Sequence, residues 1–199
     1  MVDQIASPGR RRFLAIATSA VGAAGTAVAA VPFVRSMQPA KDTLAMSTAE
    51  VDISKVEPGQ LIVVPWQGKP VFILRRTPAI LKRIETEFVT LRDPDNLDPE
   101  GGQIPSWFRD ANQRMRTYRS RRLEWYVSSG ICTHLGCIPL PRVAPATPDL
   151  GSDWPGGFWC PCHGSRYDLS GRVLAGYPAP RNLELYEYKF LSDTKILIG

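Results

Sequence analysis

The longest apolar stretch of the chain lies near its amino terminus, from residue 13 to residue 34, and it contains no charged side chain. A helix of that length rises about 33 Å, which is enough to cross a hydrocarbon core about 30 Å thick. Three arginines at positions 10–12 come directly before it, and positive charge ahead of a span favours a cytoplasmic amino terminus. The pattern predicts one N-terminal transmembrane helix (13–34) preceded by a cytoplasmic segment (1–12).

The same segment has the pattern of an export signal. Arg10 to Leu14 read Arg-Arg-x-Phe-Leu, as twin-arginine signals do. Ala27-Val28-Ala29 could serve as a signal-peptidase site, so removal of the segment is an alternative. A cleaved signal usually has an apolar core of about 7–15 residues, and this longer one favours a retained, single-pass anchor in the inner membrane. The rest of the chain is then periplasmic, where disulfides form.

After the anchor, the pattern is that of a linker followed by a β domain. Residues 35–49 mix small, polar and scattered apolar side chains, which indicates either a plain tether or a flexible hinge. Two short apolar, β-branched runs follow at 60–64 and 69–74, and Gln67-Gly68 between them predicts a hairpin. A helix is expected from about residue 78 to residue 88. Further strands are predicted at 124–127, 166–168, 183–190 and 195–198, which makes residues 50–199 a mainly β, antiparallel domain.

Charge and proline content distinguish two segments within this domain. Residues 93–122 are polar and end in a cluster of six arginines, which favours a solvated insertion or helix over a docking face for an acidic partner. Residues 138–157 contain five prolines and are expected to form an irregular connection. The net charge of +5 is moderate, and no part of the chain resembles a basic aromatic groove, so we expect no nucleic-acid partner.

The candidate chemistry is concentrated in two short segments. All four cysteines and both histidines lie in Cys132-Thr133-His134-Leu135-Gly136-Cys137 and Cys160-Pro161-Cys162-His163-Gly164-Ser165. Such a concentration of thiol and imidazole ligands indicates a metal site. In one class of iron–sulfur centre, two histidines replace two cysteines on one iron, and Cys-x-His with Cys-x-x-His supplies that set. A structural zinc site with the same four ligands is the alternative, although zinc ligand pairs are usually two to four residues apart and zinc would give the two spare cysteines no role.

These two motifs resemble the cluster-binding boxes of Rieske iron–sulfur subunits of cytochrome bc complexes, and the plan of anchor, hinge and domain resembles that family as well. The resemblance implies a mainly β domain in which a small cluster-binding subdomain, about residues 126–182, carries a [2Fe–2S] cluster. It implies four ligands, which are Cys132, His134, Cys160 and His163. It also implies a disulfide between Cys137 and Cys162, and hydroxyl groups of Ser165 and Tyr167 that hydrogen-bond cluster sulfurs.

The resemblance further implies how such a subunit meets its partners. His163 is expected to hydrogen-bond quinol and accept its proton, and the docking tip is expected to consist of Leu135, Gly136 and Pro178. Residues 176–180 resemble the Gly-Pro-x-Pro loop that covers the cluster, except that Tyr177 stands where glycine is usual.

The function that this resemblance implies is electron transfer in ubiquinol:cytochrome c oxidoreductase. The chain would take one electron from quinol at a cytochrome b subunit and pass it to a cytochrome c-type haem, within a dimeric membrane complex. Two neutral imidazoles in place of two thiolates make the oxidised cluster less negative, which raises its reduction potential to roughly −150 to +300 mV. The alternatives are a Rieske subunit of another exported oxidoreductase, such as an arsenite oxidase, and a soluble Rieske ferredoxin.

Overall fold

A computed structural model describes residues 8–38, 47–86, 90–94 and 104–199. The chain divides into two compact units, Met1–Ala45 and Met46–Gly199. Most of the predicted hinge, residues 39–46, and the first seven residues of the predicted cytoplasmic segment lie outside the described residues.

The described part of the first unit contains one helix, α1 (Pro8–Ser36), which includes the three arginines as well as the apolar stretch. The hydroxyl groups of Thr18 and Thr26 are satisfied within the helix, since each donates to the carbonyl four residues earlier. By length and composition the helix could cross a membrane, although a signal sequence near the amino terminus would also meet this criterion. The single apolar helix predicted from the sequence is therefore present.

The second unit is built from short antiparallel strands. The strands are β1 (Ala49–Asp52), β2 (Leu61–Trp66), β3 (Lys69–Arg75), β4 (Trp125–Ser129), β5 (Leu140–Arg142), β6 (Gly157–Trp159), β7 (Arg166–Tyr167), β8 (Tyr188–Phe190) and β9 (Lys195–Ile198). The helices are α2 (Pro78–Thr86), α3 (Ser106–Arg109) and α4 (Gln113–Tyr118). Within the described ranges the strands form three sheets, in the orders β1-β9-β8, β2-β3-β4 and β5-β6-β7. The predicted mainly β, antiparallel fold is confirmed.

The central sheet, β2-β3-β4, starts from the predicted hairpin. Gln67 and Gly68 have φ angles of 48° and 73°, and Trp66 pairs with Lys69 across the turn. Positive φ at both central residues is the geometry that matches the twist of a two-residue hairpin. The prediction of a hairpin at Gln67-Gly68 is confirmed.

Alternate side chains of β3 enter two different cores, as the pleat of a strand requires. Val71 and Ile73 pack with residues of the β1-β9-β8 sheet, whereas Phe72 packs on the other side. The Phe72 ring stacks on Phe158 of β6 at 5.3 Å between centroids. The central sheet is thereby packed directly against β6, the strand that leads into the second cysteine–histidine motif.

The helix predicted from about residue 78 to residue 88 is present as α2, which ends at Thr86. The Thr77 hydroxyl caps it by accepting a hydrogen bond from the Ile80 N–H at 3.2 Å. Ile80 and Ile84 are buried, and residue 88 lies outside the described part of the chain.

The arginine-rich segment, predicted to be a solvated insertion or helix, is helical in its described part but is not solvated throughout. Its described part forms α3 and α4, and Arg119 is 4% exposed at the end of α4. Buried guanidinium groups need hydrogen-bond acceptors, and Arg119 donates to the carbonyls of Ser170, Gly171 and Leu183. Arg76, 3% exposed, donates nearby to three carbonyls and two hydroxyls, those of Tyr118, Leu123, Leu169, Ser120 and Ser170. The prediction was wrong for Arg119, which holds the segment against the domain.

Two strand predictions also need correction. The expected irregular connection at 138–157 contains β5, which pairs with β6. The strand expected at 183–190 is reduced to β8 (Tyr188–Phe190). The residues before β8 make individual backbone hydrogen bonds instead of a strand ladder. For example, the Ser129 N–H donates to the Glu184 carbonyl at 2.8 Å.

Candidate metal centre

The two cysteine–histidine motifs form two loops of the same backbone design. We call residues 132–137 the first Cys-His loop and residues 160–165 the second. In the first loop, Cys132 N–H donates to the Cys137 carbonyl at 2.7 Å and Gly136 N–H donates to the Cys132 carbonyl at 3.0 Å. In the second, Cys160 N–H donates to the Ser165 carbonyl at 2.8 Å and Gly164 N–H donates to the Cys160 carbonyl at 2.9 Å.

Both loops turn at a glycine in the same position. Gly136 and Gly164 have φ angles of +83° and +77°, a conformation that side chains with a Cβ rarely adopt. The turn brings the fourth peptide of each loop back over its first cysteine. In each motif the glycine is four residues after the first cysteine. The shared geometry explains why both motifs need a glycine at that position.

The two loops are covalently joined. Cys137 and Cys162 form a disulfide with sulfurs 2.17 Å apart, across a sequence separation of 25 residues. This confirms the pairing that the resemblance implied. The other two cysteines, Cys132 and Cys160, are free thiols and are buried.

The predicted ligands meet between the loops. The rings of His134 and His163 lie edge to face with centroids 4.7 Å apart. Nδ1 of His134 is buried, and among the described residues it has no hydrogen-bond partner. A buried polar atom without a partner is costly, and a metal ion would satisfy it. The donor set of two buried thiols and two adjacent imidazoles therefore fits the predicted iron–sulfur cluster, and His163 is the more exposed of the two histidines.

The two predicted hydroxyl groups are both buried beside this site. The Tyr167 hydroxyl is 3.2 Å from Cys132 Sγ, and it accepts a hydrogen bond from the Thr133 N–H at 3.1 Å. Ser165 is fully buried, and its Oγ accepts a hydrogen bond from the Ala179 N–H at 3.1 Å. The Ser165 hydroxyl proton is thus free to be donated toward the site, since the bond from Ala179 uses only a lone pair.

The environment also sets the protonation of these groups. Burial raises the pKa of the Cys132 thiol, but hydrogen bonds from the Tyr167 hydroxyl and the His134 backbone N–H outweigh it, and the net pKa is lowered. Burial raises the pKa of the Tyr167 hydroxyl, as does its contact with Cys132. Tyr167 therefore stays protonated and can donate to the sulfur.

The three residues of the predicted docking tip are all exposed. Leu135 is 70% exposed, and Gly136 and Pro178 are also exposed, as a docking tip requires. Sequence reasoning missed Ile138, which is 54% exposed just after the disulfide cysteine. It also missed Thr133, whose hydroxyl donates to the Arg181 carbonyl at 2.6 Å. The apolar residue after Cys137 was visible in the sequence, whereas the contact of Thr133 depends on the fold.

Comparison with known families decides which kind of metal centre this is. A family model described as the Rieske [2Fe-2S] domain matches residues 48–187. The chain belongs to the Rieske family. Its cofactor is accordingly a Rieske [2Fe–2S] cluster rather than the zinc ion considered from the sequence. Residues 2–40 match a second model, described as the ubiquitinol-cytochrome C reductase Fe-S subunit TAT signal, which confirms the predicted twin-arginine signal.

Similar proteins include two bacterial Rieske subunits. The "Ubiquinol-cytochrome c reductase iron-sulfur subunit" of Allochromatium vinosum is 48% identical over 96% of this chain and 88% of its own length. The protein of the same name from Rhodospirillum rubrum is 45% identical over 96% of this chain and 91% of its own. Among solved structures, a chain of "Hyperthermophilic respiratory Complex III" is 28% identical, with a TM-score of 0.47 over 92% of this chain and 99% of that one.

Proposed function

We propose that this Rieske protein is the electron-transfer subunit of a ubiquinol:cytochrome c oxidoreductase. It takes one electron from ubiquinol at a cytochrome b subunit and passes it to a cytochrome c-type haem. The observation that carries the proposal is the 48% identity, over 96% of the chain, to a protein named as the iron–sulfur subunit of ubiquinol-cytochrome c reductase. The activity belongs to the assembled complex.

We assign the cluster to four ligands, Cys132 and Cys160 on one iron and His134 and His163 on the other. The assignment is supported by the two buried free thiols, by the 4.7 Å separation of the imidazole rings and by the unpartnered Nδ1 of His134. When bound, a [2Fe–2S] cluster supplies one-electron chemistry, and its two imidazole ligands raise its potential. The Ser165 and Tyr167 hydroxyls donate hydrogen bonds to sulfur and favour the more negative, reduced state.

His163 is the residue that meets quinol in this proposal. It lies exposed on the second Cys-His loop, whereas His134 is partly buried. With a cluster held by the four ligands, the remaining ring nitrogen of His163 would accept a hydrogen bond from the quinol hydroxyl and then its proton. The bound cluster would supply one-electron chemistry, and the added negative charge would favour proton binding at His163. Leu135, Gly136 and Pro178 provide the surface that docks on cytochrome b.

The location that we propose is the inner membrane, with the amino terminus cytoplasmic and the cluster domain periplasmic. The support is the twin-arginine signal, the apolar helix Pro8–Ser36 and a disulfide that needs an oxidising compartment. Residues 35–49 act as the hinge between helix and domain, and the complex is a dimer containing cytochrome b and cytochrome c-type subunits.

The test is an EPR-monitored redox titration of the full chain from pH 6 to pH 9. We expect a potential well above zero that falls toward the upper end of this range, because reduction is coupled to protonation of a histidine ligand. Tyr167→Phe removes one hydrogen bond to sulfur and should lower the potential by about 40–60 mV, if the bond favours the reduced state by about 1 to 1.4 kcal/mol. A low potential that is independent of pH would contradict the proposal and favour a ferredoxin-like role.

A further inference from the structure

The loop over the cluster site carries a contact that the family resemblance did not lead us to expect. We call residues 176–180 the proline loop. Tyr177, which stands where glycine is usual, packs its ring against the guanidinium group of Arg166, with 4.9 Å between Arg166 Cζ and the ring centroid. This is within the distance at which a cation and an aromatic face attract each other.

Arg166 is held from its other side by a second aromatic ring. Its Cζ lies 5.6 Å from the centroid of Trp154. Trp154 is 1% exposed, and its indole N–H donates to the Arg142 carbonyl at 2.9 Å, so the position of this ring is fixed. Among the described residues, Arg166 has no carboxylate partner, and its buried Nε has no hydrogen-bond acceptor. Arg166 is half-buried, and the two aromatic faces are the described groups that pack against its guanidinium group.

The contact lies next to the second attachment of the same loop. Arg166 follows Ser165 directly, and Ser165 Oγ accepts the hydrogen bond from Ala179 N–H. Two consecutive residues of the cluster-binding chain thus hold two residues of the proline loop, one on each side of Pro178. The loop's carbonyl at Tyr177 also accepts a long hydrogen bond, 3.5 Å, from Arg92.

We propose that Tyr177 is a positioning residue of the cluster site. By stacking on Arg166 it holds the proline loop down, keeps Ala179 N–H on Ser165 Oγ, and so fixes the direction in which the Ser165 hydroxyl donates. This inference rests on the proposed function, because it assumes that Ser165 donates to the cluster. Without the Tyr177 ring, the loop opens more often and Ser165 turns away from the site for part of the time.

The test compares Tyr177→Leu, which removes the aromatic face but keeps an apolar side chain, with Tyr177→Phe, which keeps the face and loses only the hydroxyl. The first readout is amide hydrogen exchange in the full, cluster-loaded chain, resolved at Ala179 by mass spectrometry with fragmentation. Pro178 and Pro180 have no N–H, so Ala179 contributes the single exchanging amide between Tyr177 and Arg181. We expect exchange about 2- to 30-fold faster in Tyr177→Leu, the range set by the usual strength of a cation–π contact, and no change in Tyr177→Phe.

The second readout is the reduction potential of the cluster, which a loop of merely structural importance would not alter. We expect a lower potential in Tyr177→Leu and the wild-type value in Tyr177→Phe. Tyr177 is the better position to vary than Arg166, because removing the Arg166 charge would itself lower the potential by electrostatics. Repeating Tyr177→Leu in an Arg166→Leu background should add little further exchange, since the contact is already absent.

Two different results separate failure of this inference from failure of the proposed function. If wild-type protein gives the expected high-potential cluster but Tyr177→Leu matches Tyr177→Phe in either readout, Tyr177 does not position the site. If wild-type protein has a low, pH-independent potential, the proposed function fails, and this assignment of Tyr177 fails with it.

Discussion

Replacing Cys137 and Cys162 together by serine removes the covalent link between the two Cys-His loops. The link closes a separation of 25 residues, for which the chain-entropy relation gives a stabilisation of about 3.5 kcal/mol. Cys162 is exposed and Cys137 is half-buried, so the serine side chains cost little packing and the loss is mainly that of the crosslink. For a domain of this size the value corresponds to a fall in Tm of roughly 7–14 °C.

The four proposed cluster ligands join the same two loops. In protein that holds the cluster, the stabilisation of about 3.5 kcal/mol and the fall in Tm are therefore upper values. The assay is thermal unfolding of the full chain in detergent, followed by tryptophan fluorescence and by the visible absorbance of the cluster. Wild-type protein treated with a thiol reductant should match the double variant, and the reductant should leave the variant unchanged. A shift in Tm below about 2 °C, with the cluster retained, would show that the disulfide does not hold the loops together.

Three further perturbations test the packing around the site. Arg76→Met leaves four buried acceptors and one part-buried acceptor without the Arg76 donor, and should lower the free energy of unfolding by about 3–5 kcal/mol. The exposed Arg114→Met should change the free energy of unfolding by less than about 0.5 kcal/mol, and denaturant titrations of both variants check this. Gly157→Ala places a Cβ 1.9 Å from a backbone carbonyl at a φ of +152°, so we expect little folded protein. The control is Gly151→Ala, where φ is +90° and the Cβ meets open space, so this variant should fold with only the cost of backbone strain. Equal yields of soluble, coloured protein from the two variants would contradict this expectation. Burial raises the pKa of Tyr188 to about 12, and this phenol is protonated in both states below about pH 10. Above that pH the Tyr188 phenol ionises first in the unfolded chain, so the free energy of unfolding falls as pH rises from about 10 to 12. The free energy of unfolding should therefore be lower at pH 11 than at pH 9, and Tyr188→Phe should reduce the difference.

The features that could be predicted from the sequence are those determined by neighbouring residues. The Gln67-Gly68 turn needs only its own two φ angles, and each Cys-His loop closes through hydrogen bonds within six residues. The clustering of all thiol and imidazole groups in two such loops was sufficient to predict a metal centre, and the resemblance to a known family supplied the pairing of the disulfide.

The features that could not be predicted depend on contacts between distant parts of the chain. Arg119 is buried because carbonyls from Ser170 to Leu183 converge on it, and a local pattern of arginines contains no information about them. The short β5 forms because β6 lies beside it, although a proline-rich sequence argues against a strand. The contact between Tyr177 and Arg166 belongs to the same class, since it depends on how the proline loop folds back.

The pairing of β1 with β9 has a consequence for the order in which the domain is completed. Residues 49–52 pair with residues 195–198, and Ile196 and Ile198 are fully buried in the core that includes Val51. A ribosome delivers β1 long before β9, so the nascent chain exposes this apolar surface until β9 has been made. The outer sheet can therefore close only after both Cys-His loops have been synthesised, so the segments that hold the cluster ligands are complete before β1 and β9 pair.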